Sequence, residues 1–349
     1  MFPLRSQNLA DRPEQSRCSA TGGECMRAIQ ISAFGDPRDV AKLVELPDPA
    51  APGADEALVE VEYAPINPSD LLLIRGLYGV RPKLPATVGS EGVGRVRAVG
   101  SRVRELAVGD RVLLPRQSFA WQELMLAPAK DLFAVPDGDS QQLSMLAVNP
   151  PTAALMLKSY VNLSPGDWII QNTGNSGVGR AVAAFAREWG LRLISVVRRE
   201  SLIDELKDSG SEIVLTDGRD LAARVAAATG NASLKLGLDA LAGEGGFSLA
   251  TTLAPDATMV VYAALSGKPS SINPLNVIFR GLTIKGFWLG HPSFKDTPAY
   301  HEALRDSAGL VASGKLQVPV AATYPIGRVE EAIAHAQAGG KVLFDMRAG

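Results

Sequence analysis

From Met26 to about Leu126 the chain sets apolar residues in short runs, some alternating with polar ones, and breaks them with Gly and Pro. Residues 26–32, 58–63, 92–99, 111–114 and 121–126 each read as a strand. Strands this short between such turns predict a small β-barrel rather than a parallel sheet. Near Leu143 the pattern changes. Ala153, Leu155, Met156, Leu157 and Tyr160 predict a helix behind Pro150-Pro151-Thr152. Strands are then expected at 168–170, 191–197, 212–216, 234–239, 259–262 and 282–289. Between them, apolar residues at helical spacing predict helices, as at Val178, Val182, Phe185, Ala186 and Trp189. Such alternation means an α/β class with a doubly wound parallel sheet. Residues 302–311 and 329–337 read as later helices and 341–346 as a last strand.

One stretch organises the second half. Pro165-Gly166-Asp167 is a turn, Trp168-Ile169-Ile170 a buried strand, and Gly174, Gly177 and Gly179 precede the helix. Strand, glycine turn and helix together point free N–H groups at a phosphate. Other motifs compete. Gly89 to Gly94 repeats the G-x-x-G-x-G spacing without such a context. Gly174 to Ala181 nearly matches a P-loop, but Arg180 replaces the lysine and Ala181 the hydroxyl. Val178 stands where a nucleophile elbow needs its last glycine. The strand–helix context favours a dinucleotide, held by Gly174, Asn175, Ser176, Gly177, Val178 and Gly179. An acid about 20 positions on would read the ribose of NAD, whereas arginine accommodates a 2′-phosphate. Here Arg198 and Arg199 end the second strand, and a guanidinium fork suits a phosphate. The alternative is two solvated surface arginines. NADPH is the expected cofactor.

Length and charge narrow the rest. At 349 residues the chain can bury two cores, and a net charge of −2 argues against nucleic acid as a partner. No apolar run approaches the roughly 18 residues of a membrane span. Cys18 and Cys25 are the two cysteines, which excludes a disulfide framework and fits a reducing cytosol. A cytoplasmic location is therefore expected, with the mitochondrion as the alternative. Residues 1–25 lack an apolar signal core, and Asp11, Glu14 and Glu24 speak against a transit peptide. They are expected to be a disordered extension, with the fold starting at Met26.

Several strings carry a resemblance: Asn67-Pro68-Ser69-Asp70, Arg75-Gly76-Leu77-Tyr78-Gly79, Val148-Asn149-Pro150, Gln171-Asn172 with Asn175 to Gly179, Val196-Val197-Arg198, and Gly286-Phe287-Trp288-Leu289. Together, with the barrel-like front and Rossmann-type middle, they resemble the zinc-free enoyl thioester reductases of the medium-chain dehydrogenase/reductase superfamily. The resemblance covers nearly everything from Met26 onward. It implies a GroES-like β-barrel catalytic domain at 26–145, an NADPH-binding Rossmann domain at 146–295, and a segment at 296–349 that returns to the first. The residues themselves argue against zinc. The zinc enzymes' Gly-His-Glu reads Gly89-Ser90-Glu91, the lobe cysteines are missing, and His291, His301 and His335 are isolated.

The implied chemistry is reduction of a trans-2-enoyl thioester on coenzyme A or acyl carrier protein, with hydride to Cβ and a proton to Cα. Tyr78 matches the family's proton donor, and a phenol keeps its proton at neutral pH. An exposed loop tyrosine is the plainer reading. Asn67 holds either Tyr78 or the nicotinamide ribose, or is simply a turn residue before Pro68. The resemblance also assigns cofactor contacts to Asn149, to Tyr262, Ala263, Ala264 and Leu265, to Phe287, Trp288, Leu289 and Gly290, and to Lys341. Trp288 reads equally as core, Asn149 as a turn, and Lys341 as a solvated lysine. Arg75, Arg81 and Lys83 are candidates for the coenzyme A phosphates or an acidic carrier.

There are departures from the family. The loop 115–121 is shorter, Ala263-Ala264 replaces two glycines, and residues 291–300 match poorly. A quinone or alkenal reductase on the same fold is the alternative function, and a non-enzymatic NADPH-binding protein a third. A homodimer joined near residues 272–289 is expected.

Overall fold

The computed structural model describes residues 24–348, so the expectation for the first 25 positions lies, but for its last two, outside the described residues. A six-stranded sheet forms the centre of the second half. Its strand order is Ile213–Thr216, Arg192–Val197, Trp168–Asn172, Leu234–Asp239, Thr258–Val261 and Thr283–Gly286. Every neighbouring pair is parallel. The chain starts in the middle, at Trp168–Asn172, winds outward to one side and returns to wind toward the other. That reversal opens a crevice at the carboxyl ends of the strands. All five residues of the starting strand are buried, as a strand covered on both faces requires. The Gly177–Glu188 helix covers it with the run Ala181 to Ala186. Asn149–Ser159 packs alongside, with Pro150 and Pro151 in its first turn, where no N–H is needed.

The front half is built from short strands in two sheets. Val320–Pro325, Lys341–Asp345, Glu56–Ile66, Val93–Val99, Arg111–Leu113 and Phe133–Ala134 form one sheet, with Leu124–Pro128 on Glu56–Ile66. A smaller sheet joins Ala41–Pro47, Cys25–Ile31 and Ala86–Thr87, and a bridge from Ala28 to Gln122 ties the two together. Trp121 fills the space between them. It is fully buried, its Nε1–H donates to the Pro65 carbonyl at 3.1 Å, and its ring meets Phe344 edge-on.

The register of the last strand matters most for the site. Lys341–Asp345 runs antiparallel to Glu56–Ile66 with Val342 opposite Ile66. The residues just beyond that pair, Lys341 and Asn67, are thereby brought side by side.

Some elements differ from the sequence expectation. Thr283–Gly286 is half the expected strand, because the chain turns away to form the site. Ala41–Pro47 and Val320–Pro325 are additional strands that lie largely toward solvent and carry little apolar alternation. Pro274–Arg280 is an additional helix whose apolar residues face outward.

Candidate active site

The glycine turn opens the crevice. Ser176 caps the Gly177–Glu188 helix, its hydroxyl accepting from the Gly179 N–H at 3.0 Å. The N–H groups of Gly177 and Val178, at the head of the helix, have no carbonyl one turn back to donate to, and the helix dipole makes this end positive. Gly179 permits the close approach, since a Cβ there would lie 2.5 Å from the Thr173 carbonyl oxygen. Asn149 lies against the same turn, its Nδ2 2.6 Å from where a Gly177 Cβ would stand. Asn175 is exposed. Gln171, beneath, donates to the Gly179 carbonyl and to Ser195 Oγ, both at 2.9 Å, and so braces the turn from below.

Two hydroxyls here, Thr173 Oγ1 and Tyr262 Oη, are buried and lie against each other, with Ser176 beside the phenol. Burial pushes the Tyr262 phenol up to about 12. Free N–H groups at the head of the helix, beside these buried hydroxyls, fit a polar ligand, and the residues present suit the phosphates of a dinucleotide. Arg198 and Arg199 follow Val197 at the end of the neighbouring strand. Both are exposed, and neither takes part in an ion pair among the described residues.

The other assigned segments also leave the sheet at its carboxyl edge. Tyr262 to Leu265 follows Thr258–Val261 and is held by N–H bonds from Tyr262 to Asp239 and from Leu265 to Ala240. Ala263 is half-buried, whereas Ala264 and Leu265 are exposed. Phe287 to Gly290 follows Thr283–Gly286, with the Phe287 N–H on Val261. Phe287 and Leu289 turn their side chains into the core, so only their backbone is available to a ligand.

Trp288 points the other way. Its Nε1–H donates to the Tyr78 hydroxyl oxygen at 3.0 Å, and the two rings meet edge to face with centroids 6.1 Å apart. Gly79 lets the loop lie this close, since a Cβ there would come within 3.1 Å of the Trp288 ring. Tyr78 lines a pocket with Asp70, Leu73, Ser90, Gln117 and Phe119. Arg81, by contrast, stays local: it donates to the Gly76 carbonyl and stacks on Phe34.

Asn67 stands at the head of the Pro68–Ile74 helix, in line with its reading as a turn residue. No hydrogen bond joins it to Tyr78 among the described residues. Its Nδ2 donates to Glu91 Oε1 at 2.8 Å, and its Oδ1 accepts from Lys341 Nζ at 2.7 Å. Asp70, one turn on, accepts the Asn67 backbone N–H at 2.7 Å. Lys341 is thus no solvated lysine. Burial holds its ammonium below the usual range, opposed by Glu91 and Asp70. Burial pushes Glu91 up to about 7 and Asp70 to about 6, with Lys341 and the hydrogen bonds pulling the other way. Sequence reading passed over Glu91 and Asp70 as site residues. The one available signal was a carboxylate inside the glycine-rich run Gly89 to Gly94. The set Asn67, Ser90 and Glu91 does not suit a zinc ion, because an ammonium in its midst repels a second cation. No group of three or more His, Cys, Asp or Glu is arranged to hold a metal among the described residues.

Comparison with known proteins extends this geometry. Residues 53–137 match the alcohol dehydrogenase GroES-like domain family, and residues 177–306 the zinc-binding dehydrogenase family. The mitochondrial enoyl-[acyl-carrier-protein] reductase of Rattus norvegicus is 36% identical over 316 residues, covering 88% of this chain and 84% of that one. The Etr1p/NADP/crotonyl-CoA complex superposes with a TM-score of 0.86 at 25% identity, over 92% of this chain and 100% of that one. The Etr1p/Etr2p heterodimer, a mitochondrial 2-enoyl thioester reductase from Candida tropicalis, gives 0.84 at 25% identity over the same shares. A putative NADPH:quinone reductase from Bacillus thuringiensis gives 0.83 at 29%, over 93% and 99%.

These relatives correct one expectation. The cytoplasmic location does not stand: the rat protein and its Caenorhabditis elegans counterpart, 35% identical over 83% of this chain and 86% of that one, are mitochondrial enzymes. Two cysteines and an acid-containing N-terminus were too weak a basis for choosing a compartment. By its GroES-like and Rossmann halves and its similarity along most of its length, the chain belongs to the mitochondrial-type enoyl thioester reductase family of the medium-chain dehydrogenase/reductase superfamily.

Proposed function

We propose that this protein reduces the 2,3 double bond of trans-2-enoyl thioesters, carried on coenzyme A or an acyl carrier protein, using NADPH. Bound NADPH supplies the hydride for Cβ. The glycine turn and Asn149 hold its phosphates, Arg198 and Arg199 its 2′-phosphate, and the backbone of 262–265 and 287–290 flanks its nicotinamide. Tyr78 holds the proton for Cα. The observation that carries this reading is the Trp288–Tyr78 bond at the mouth of the pocket. Because the phenol oxygen accepts from the indole, its own hydrogen is left for the substrate. The same indole N–H stabilises the phenolate that remains after transfer. Gln117 Nε2, in the same pocket wall, is buried without a hydrogen-bond partner among the described residues, a donor that the thioester carbonyl, where charge develops, would satisfy.

The test is NADPH oxidation with crotonyl-CoA, longer enoyl-CoAs, quinones and free alkenals. Tyr78→Phe should lower turnover of crotonyl-CoA about 100-fold or more. Undiminished turnover in that variant sinks the assignment. The likeness to the B. thuringiensis protein favours quinone reduction as the second reading. That chemistry needs no proton from Tyr78, and Tyr78→Phe would leave it intact.

The assembly in this reading is a homodimer. All four residues of Thr283–Gly286, an edge strand, are exposed. Beside them Ile278 and Phe279 are 66% and 78% exposed. An open strand edge next to outward apolar side chains suits pairing with a second copy.

A further inference from the structure

Glu91 stands between the two halves of the molecule, with no exposed surface, and uses both carboxylate oxygens. Oε1 accepts from Asn67 Nδ2 at 2.8 Å, and Oε2 accepts from the Val148 backbone N–H at 2.9 Å. The first bond reaches into the GroES-like half. The second reaches the cap of the Asn149–Ser159 helix, whose Asn149 carboxamide lies against Gly177 of the phosphate turn. With its Nδ2 committed to Glu91, the Asn67 carboxamide presents its oxygen to Lys341. A packed apolar side chain would fill the same space with less desolvation. What the carboxylate adds is two directed bonds, one into each half.

We propose that Glu91 is a positioning residue for the cofactor: it turns the Asn67 carboxamide toward Lys341 and, through Val148, sets Asn149 against the phosphate turn. The inference rests on the NADPH-dependent reading above. Three titratable groups face Glu91: Lys341, Asp70 and Tyr300, whose hydroxyl donates to the Ala147 carbonyl at 2.9 Å and whose ring has the Arg116 guanidinium above it. Burial raises Glu91 to about 7. As pH falls through that value the carboxyl gains a proton and loses one of its two acceptor roles. The strut then loosens.

The test is equilibrium binding of NADPH to the full chain, read by quenching of tryptophan fluorescence between about pH 8 and about pH 6, a window spanning the Glu91 value. In the wild type, affinity should fall on the acid side. Glu91→Gln keeps the shape but accepts only one of the two N–H groups. It should bind about tenfold more weakly near pH 8, the loss of one such bond, and show no further acid-side decline. Glu91→Asp keeps the charge but cannot span both donors. It should bind weakly and retain the pH dependence, which keeps the proposal testable if the Gln variant fails to fold. Wild-type affinity in both variants overturns the proposal. So does an acid-side decline that persists in Glu91→Gln, since it then belongs to Asp70 or to the ligand's own phosphate. A wild type that binds NADPH but reduces no enoyl thioester sinks the substrate reading and leaves this binding test standing.

Discussion

Tyr78 and Trp288 lie 210 positions apart and meet through one N–H···O bond. Phenylalanine at 288 would keep the ring against Gly79 but remove the donor. Trp288→Phe should therefore lower turnover of crotonyl-CoA about 10- to 100-fold, the worth of a hydrogen bond to a developing charge, with little change in KM for NADPH. Steady-state rates against both substrates check this, and unchanged turnover would make the indole mere packing. The role of Tyr78 came from the family resemblance; its place between Gly76 and Gly79 marked by itself only a loop tyrosine. Glu91 was not legible, since a carboxylate in a glycine-rich run looks like any turn charge. Asn67 was half legible. Its place before Pro68 marked a turn, but the partner of its carboxamide depends on which strand returns beside it.

At the scale of elements, the strand from Trp168, its glycine turn and the helix from Gly177 could be read locally. Each step there is dictated by neighbours in sequence: an apolar run, positions that admit no Cβ, and helical spacing. Arg198 and Arg199 follow from the same unit, because the parallel register sets Val196 beside Asn172. Replacing both arginines with glutamate should weaken NADPH binding about 100-fold while leaving NADH binding nearly unchanged, as carboxylates repel a 2′-phosphate but tolerate a ribose hydroxyl. Titration with the two nucleotides decides it, and equal losses for both would place the 2′-phosphate elsewhere. The helix Pro274–Arg280 escaped notice for a physical reason. Its one buried side chain is Asn276, while Leu275, Val277, Ile278 and Phe279 face out. A periodicity rule written for helices that bury their apolar face cannot find it.

That helix acquires meaning at the scale of the whole molecule. With Thr283–Gly286 it forms the apolar edge of the six-stranded sheet. Ile278→Asp with Phe279→Asp should convert the proposed dimer into a folded monomer, measured by sedimentation equilibrium with circular dichroism as the control on folding. A monomeric wild type at micromolar concentration would refute the dimer. The sequence alone determined the class of each half, the phosphate turn and the choice of cofactor. Those features arise from residues a few positions apart, where sterics and hydrogen bonding act without reference to the rest of the chain. Only the tertiary structure decided which polar groups share the site. Asn67, Glu91, Val148 and Lys341 come from four separated segments, and burial in a common wall makes their mutual pairing obligatory.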